Sequence, residues 1–377
     1  MSDTVTDGPT GVYGPLAGLR VLEMAGLGPA PMAAMLLAEM GADVVRVDRP
    51  HPPAFSDVLD RGRRSVVIDL KRPEGPEAVL SLAGRADILI EGFRPGVMER
   101  LGLGPEQVHA RNPALVYGRM TGWGQHGPRA ADAGHDINYI ALTGALSATG
   151  RAGGPPQIPL NLVGDFGGGA LYLVTGVLAA LHHARATGEG QVVDAAIVDG
   201  VTHLAAMIWA ERHHHGWRDE RGTNLLDSGT PYYDVYETAD GEWFAVGAIE
   251  PQFYGRLVEL LGLPGWAGRQ HDRTHWPEMR AAFAGAFATR SRAQWEVLFA
   301  GTDACAAPVL SWTEAVRDPH LRARRTHLRL DDQVVPAPAP RFSRTPSRVA
   351  RPGGPTDGDR RAVCADWGIA PATDRPV

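Results

Sequence analysis

An α/β fold with a mostly parallel sheet is predicted, and two features of the first half of the chain predict it. Short apolar runs of strand type alternate with stretches of helical spacing. The strand-type runs are apolar nearly throughout, as strands covered on both faces are. A change of texture near residue 226 adds a second, smaller α+β domain.

In chain order, "LRVLEM" (19–24) reads as the first strand and "PMAAMLLAEMGA" (31–42) as a helix ending near Gly41. Strands follow at "DVVRVD" (43–48) and "SVVIDL" (65–70), a helix at "PEAVLSLAGRA" (76–86), and strands at "DILIEG" (87–92) and "ALVYGRM" (114–120). The order is Rossmann-like. The loop after the first strand is "AGLGPAPMA", however, which lacks the G-x-G-x-x-G pattern of a dinucleotide site. "NLVGDFGGGALYLVTGVLAALHHARATGEGQ" (161–191) sets three glycines before a long apolar helix from about Gly168 to His183. "QVVDAAIVDG" (191–200) then reads as a strand turning into a helix that extends through "VTHLAAMIWAERHHH".

The smaller domain opens with "YYDVYETADGEWFAVGAI" (232–249), two β-type runs around Asp240-Gly241, a strong hairpin signal. Helical stretches follow at 251–263, 277–288 and 292–300, and "CAAPVLSWTEAVRDPHLRARR" (305–325) leads back to the first domain. The Pro-, Gly- and Arg-rich "APAPRFSRTPSRVARPGGPTDGDR" reads as an extended surface segment. The expected boundaries are a large domain at 1–190 and 320–377, a linker at 191–225, the small domain at 226–300 and a return linker at 301–319.

The net charge is -6, which offers no basic stripe to nucleic acid and no polybasic patch to a membrane. A phosphate on any ligand must then be met by local arginines and lysines. Two cysteines, Cys305 and Cys364, make no disulfide framework and no C-x-x-C pair. No apolar h-region opens the chain, "DRPV" at its end is not a peroxisomal address, and no run of 18 apolar residues is seen. The expectation is a cytoplasmic protein with no membrane span.

Several residues invite chemical readings. Asp165 in "GDFGGG" is a natural helix cap, and glycines beside it would let a ligand approach the backbone. "DFG" alone does not make a kinase, since no catalytic loop accompanies it. His213, His214 and His215 are adjacent on a helix and point in different directions, so they form a solvated helix end rather than a metal face. His182 and His183 suit a helix C-terminus. Glu250 stands before Pro251 as a helix-start acid. His126 sits in a polar turn, and His135 precedes a half-apolar segment where it could face a cleft.

Together "GPLAGLRVLEMAGLGPAPMAAMLLAEMGADVVRVDRP", "DLKRPEG", "ILIEGFRPGVMERLGLG", "GRMTGWGQHGP", "GHDINYIALTG", "NLVGDFGGG" and "QVVDAAIVDG" resemble the family III CoA-transferase (CaiB/BaiF) superfamily, from about Gly14 to about Trp367. Within it they look most like the members that move a proton at Cα of a 2-methylacyl-CoA thioester. The resemblance implies His135 and Asp165 as the two proton-transfer residues and Glu250 as the carboxylate partner of the histidine. Such an enzyme interconverts (2R)- and (2S)-2-methylacyl-CoA by 1,1-proton transfer through an enolate. It needs no metal and no cofactor, because CoA is part of the substrate.

The resemblance places Arg49, Lys71 and Arg100 at the adenosine and phosphate end of CoA. Leu27, Ile68 and Leu70 would wall the adenine pocket, Asp136 and Tyr139 would lie near the pantetheine, and Arg94 is a further candidate. It implies an interlocked homodimer, with His135 and Asp165 from one subunit meeting Glu250 of the other. His126 has no role in it. The alternative chemistry is CoA transfer with Asp165 as nucleophile. The helix at 200–215 offers Met207 and few other methionines, which suggests a shorter or more polar acyl group than a long branched fatty chain.

Overall fold

The computed structural model describes residues 13–50, 58–214, 216–330, 332–350 and 359–369. His215 and most of both chain ends lie outside the described residues. The contacts divide the chain into two compact units. The first comprises residues up to Thr143, Leu160–Ala205 and the chain from Ala323 onward; the second comprises Gly144–Pro159 and Ala206–Arg322.

The first unit is built on a six-stranded parallel sheet: β1 (Arg20–Met24), β2 (Asp43–Asp48), β3 (Arg64–Val67), β4 (Ile88–Glu91), β5 (Val116–Thr121) and β6 (Val192–Ala196). The spatial order is β3-β2-β1-β4-β5-β6. That is the doubly wound order, whose chain reversal between β1 and β4 opens a crevice at the carboxyl ends of the strands. Val21, Leu22, Val44, Val45, Ile88, Leu89 and Ile90 are fully buried or nearly so. Each fully buried aliphatic side chain contributes about 1.5–3 kcal/mol.

The sheet also holds charges that the apolar reading of its strands did not foresee. Glu23 of β1 is fully buried and paired with Arg63 at 2.5 Å, and Glu39 pairs with Arg61. Burial pushes the Glu23 carboxyl above its ordinary value even against the Arg63 and Arg46 charges. Such pairs contribute little net stability, but losing one partner is costly.

Helix Pro29–Glu39 starts on proline at a position that needs no N–H donor. The glycine run departs from the expected geometry. Leu162–Ala170 winds as a π-helix, marked by the Phe166 N–H to Asn161 carbonyl bond, and continues directly into the α-helix Leu171–Thr187. The helical run Leu162–Thr187 has the length and hydropathy to cross a membrane, which the search for an uninterrupted apolar run did not flag. Its inner face is spent on the sheet: Leu173 and Val177 are fully buried, and a Cβ on Gly118 of β5 would stand 2.9 Å from Val177 and 3.0 Å from Leu173.

Helix Ile197–Leu204 crosses the π turn where both carry glycine. A Cβ on Gly200 would stand 1.9 Å from the Gly168 carbonyl oxygen. The strand and helix expected from "QVVDAAIVDG" are both present, interrupted at Ala205 before helix Ala206–His214. Residues 191–204, expected as the start of a linker, are therefore strand β6 and a helix.

The second unit carries the hairpin β7 (Tyr233–Glu237) and β8 (Trp243–Gly247), turning at Gly241 with φ 77°. β9 (Ala306–Pro308) completes an antiparallel sheet of order β7-β8-β9. Helices Pro251–Leu260, Trp276–Phe287 and Arg292–Phe299 match the three expected stretches. Their core is aromatic: Tyr236 stacks on Phe287 at 5.3 Å, and Phe244, Phe283, Trp295 and Phe299 close around them.

The chain end in the first unit is more ordered than its composition suggests. An antiparallel pair, β10 (His327–Leu330) and β11 (Gln333–Pro336), precedes it. Helix Asp359–Trp367 then docks Val363 and Trp367 into the core beside Val66, Ile68 and Leu82. Trp367 donates to Asp43 at 2.8 Å, and Arg64 bridges Asp43 and Asp366.

The glycine-on-glycine crossing leads to a stability prediction. Gly200→Ala forces backbone apart and should cost about 3 kcal/mol. Gly255→Ala, in a helix with nothing near the new Cβ, should gain about 0.5–1 kcal/mol. Urea denaturation of both variants checks this, and an unchanged midpoint for Gly200→Ala would contradict the contact.

Candidate active site

The candidate residues of the first unit gather on the loops that leave the carboxyl ends of the sheet. Leu27 follows β1, Arg49 follows β2, Ile68 to Lys71 follow β3, Arg94 and Arg100 follow β4, and the 134–139 segment follows β5. This is the edge at which doubly wound folds bind ligands. Leu27 is 59% exposed, and Arg49, Lys71, Arg94 and Arg100 are exposed. Among the described residues none of these four cations forms an ion pair, so they remain available to an anion.

His135 and Asp165 lie together. His135 precedes helix Asp136–Leu142 as its N-cap, and its own N–H donates to the Asn138 side chain at 3.0 Å. The residue before it is fixed by Tyr139, whose hydroxyl donates to the Gly134 carbonyl and whose ring meets Trp123 edge-on at 4.8 Å. His135 is exposed, as a base that meets a ligand must be.

Asp165 is not the helix cap that the sequence suggested. It lies inside the π turn, with Asn161 at the cap position. Burial, and then the Asp136 charge, push its carboxyl above the ordinary aspartate value; an Asn161 hydrogen bond and the nearby His135 pull the other way. Gly28, at φ 67°, brings the start of helix Pro29–Glu39 close enough that a Cβ there would stand 3.3 Å from Asp165 Oδ2.

Two candidates are buried rather than exposed. Ile68 is 2% exposed and packs in the core with Val66, Val363 and the α-helix that carries Leu82. Strand alternation explains this: Val66 and Ile68 point inward, and the 41% exposed Val67 between them points outward. Ile68 lines a small cavity of about 60 Å³ with Val66, Leu82 and Val363, and Leu70 is partly buried against the same core. The Asp136 carboxylate, expected beside the ligand, is 8% exposed and turned toward the protein, accepting the Asp165 N–H at 2.7 Å. Burial raises its pKa, opposed by the Asp165 and Gly164 amides.

Tyr139 senses the same centre. Burial and the Asp165 charge raise its phenol, and Arg94 lowers it. Arg94 is thus close enough to Tyr139 for its charge to act on the phenol. No sequence pattern pointed to this, because the link runs across two loops.

Glu250, in the second unit, ends the β8 arm as the N-cap of helix Pro251–Leu260 and is exposed with no capping bond from its side chain. Gln270 holds the adjacent backbone by donating to the Ala248 and Ile249 carbonyls. His126 is exposed and lines a depression of about 250 Å³ with Trp123, Arg129, Asp199 and Thr202. It is not among the groups that act on Asp165. His213 and His214 are exposed at a helix end.

The chain belongs to CoA-transferase family III, whose model matches residues 16–361. It is 47% identical over 334 residues to the Homo sapiens protein "Alpha-methylacyl-CoA racemase", covering 88% of this chain and 87% of that one. It is 46% identical over 358 residues to the Mus musculus protein of the same name, covering 94% of each. A crystal structure of a CAIB/BAIF family protein from Brucella suis superposes with a TM-score of 0.81 at 26% identity, over 94% of this chain and all of the other.

The raised Asp165 carboxyl has a consequence for stability. The ionised form is the costly one in the folded protein. The cost is absent below the ordinary aspartate value and appears as pH rises through the raised folded value. Asp165→Asn should therefore raise the melting temperature more at pH 7.5 than at pH 4, as measured by thermal denaturation at both pH values. An equal change at both would contradict the shift.

Proposed function

We propose that the protein is a racemase, or epimerase, of 2-methylacyl-CoA thioesters that interconverts the (2R) and (2S) forms. One observation carries the reading. A histidine and a carboxyl that burial raises above the ordinary aspartate value stand together where the fold presents its ligand edge. Inversion at Cα needs a base on one face and an acid on the other, and a neutral His135 with a protonated Asp165 is such a pair.

In one direction the His135 imidazole takes the Cα proton. The C–H electrons move into the thioester carbonyl and leave an enolate, and Asp165 delivers its proton to the opposite face. The imidazolium and carboxylate that remain are the starting state for the other enantiomer. The His135 N–H is taken by Asn138, so the Gly134 or Asp136 N–H would meet the enolate oxygen. Glu250 of a second copy of the chain would hold the His135 tautomer and favour the imidazolium, in a homodimer whose site draws on both subunits.

Leu27, Arg49, Leu70, Lys71 and Arg100 would hold the nucleotide end of CoA, with Arg94 and Tyr139 nearer the thioester. CoA enters as part of the substrate, and no separate cofactor is required. The composition suits a cytoplasmic enzyme.

Transfer of CoA through an acyl-Asp165 intermediate is the second reading, favoured by the family to which the chain belongs. It calls for an ionised nucleophile, whereas burial and Asp136 favour the protonated carboxyl.

Incubation of a single enantiomer of a 2-methylacyl-CoA in heavy water should give loss of chirality and deuterium at Cα, read by mass spectrometry and chiral analysis. His135→Ala and Asp165→Ala should each slow this by about 10³-fold. Full activity in either variant would overturn the pair. An acyl-aspartate trapped by hydroxylamine, with no deuterium uptake, would move the protein to the transferases.

A further inference from the structure

Asp136 is the most constrained polar side chain near the proposed acid. It is 8% exposed, its Oδ2 accepts the Asp165 N–H at 2.7 Å, and the Gly164 amide also bonds to the carboxylate. Oδ1 is buried and makes no hydrogen bond. A carboxylate buried with one oxygen unsatisfied is costly and calls for an explanation. The approach is close enough to require glycine opposite it: a Cβ on Gly164 would stand 2.1 Å from Oδ2 and 2.9 Å from Ile140. The side chain thus reaches from the residue beside His135 to the backbone that carries Asp165.

We propose that Asp136 is a positioning residue for the proton transfer: its carboxylate clasps the Gly164–Asp165 backbone of the π turn and so fixes where the Asp165 carboxyl stands relative to His135. The inference rests on the racemase reading, in which Asp165 carries one of the two protons. It replaces a contact between the Asp136 side chain and CoA with a contact inside the protein. π turns have wider rings than α turns and are commonly found at functional sites; two amides held by one carboxylate give this one a fixed register. The negative charge is also the group, after burial, that most favours the protonated Asp165.

Among the other groups around Asp165, Asn161 hydrogen-bonds the carboxyl itself, which leaves the hold on the backbone beneath it to Asp136. His135 acts in the opposite sense, and Tyr139 is bonded to Gly134. Helix Pro29–Glu39 brings Gly28 and no charge to its start. On helix Ile197–Leu204, Asp199 lines the depression beside His126 and His203 pairs with the Tyr172 hydroxyl at 2.7 Å. Arg119 of β5 is taken by Glu91 and Glu99, and Asp194 of β6 by the Gln125 N–H.

The test compares Asp136→Ala and Asp136→Asn with the parent protein. Asparagine keeps an acceptor oxygen for the amides and removes the charge. Asp136→Ala should lower kcat for racemisation by about 100-fold, the scale of a small misplacement of a reacting group, and leave KM within about threefold. Asp136→Asn should lose less and move the acid limb of the pH–kcat/KM profile to lower pH.

Two readouts need no turnover. Amide hydrogen exchange at Gly164 and Asp165 should quicken by on the order of 10-fold in Asp136→Ala and stay near the parent rate in Asp136→Asn. Affinity for free CoA, by calorimetry, should be unchanged in both. An unchanged kcat and unchanged amide exchange in Asp136→Ala, or a defect confined to CoA affinity, would overturn the clasp. An unmoved acid limb in Asp136→Asn would do the same should Asp136→Ala fail to fold. Faster amide exchange in Asp136→Ala with no α-proton exchange in the parent would uphold the clasp and overturn the racemase reading instead.

Discussion

The close approach of a glycine-rich π turn to its neighbours is the constraint on which the rest of the site depends. Gly168 lies against Gly200 of the following helix, Gly164 lies under the Asp136 carboxylate, and Gly28 lies over Asp165. Side chains at these points would push the three segments apart. Their absence lets the carboxyl edge of the sheet bring the histidine of one loop to the aspartate of another. The glycines of "GDFGGG" thus serve backbone-to-backbone packing inside the protein at least as much as ligand approach.

That packing also shapes the electrostatics. Asp165 is drawn out of water, and a second carboxylate is held near it through the backbone. Both effects raise the cost of a negative charge at Asp165, and both act without a hydrogen bond between the two side chains. The fold supplies an acid that can hold its proton, beside a histidine that remains exposed.

Much of the scaffold was legible because parallel strands and amphipathic helices carry local signals. β2 falls on the expected residues 43–48, the Asp240-Gly241 hairpin turns where expected, and the helices after it differ from expectation only at their ends. The proton-transfer pair was reached through whole motifs rather than spacing, since 30 positions of sequence separate His135 from Asp165. What was missed depends on tertiary contacts. The π geometry of 162–170 follows from a neighbouring helix, so a local reading made Asp165 a cap. The Glu23–Arg63 and Glu39–Arg61 pairs join distant residues within otherwise apolar elements. Among the described side chains of helix Asp359–Trp367 the buried ones are Val363 and Trp367, too narrow a stripe to stand out in a polar tail, although their i, i+4 spacing was there to find. The inward direction of Ile68 follows from alternation with Val66 and the exposed Val67.

The account stands most directly on how solvent deuterium enters at Cα during the first few per cent of conversion of one pure enantiomer. With His135 and Asp165 on opposite faces, the inverted product should carry deuterium from the start, while the recovered starting enantiomer carries markedly less. Equal early labelling of both enantiomers, or an inverted product that keeps its original proton, would contradict a two-residue transfer and with it the roles assigned to His135 and Asp165.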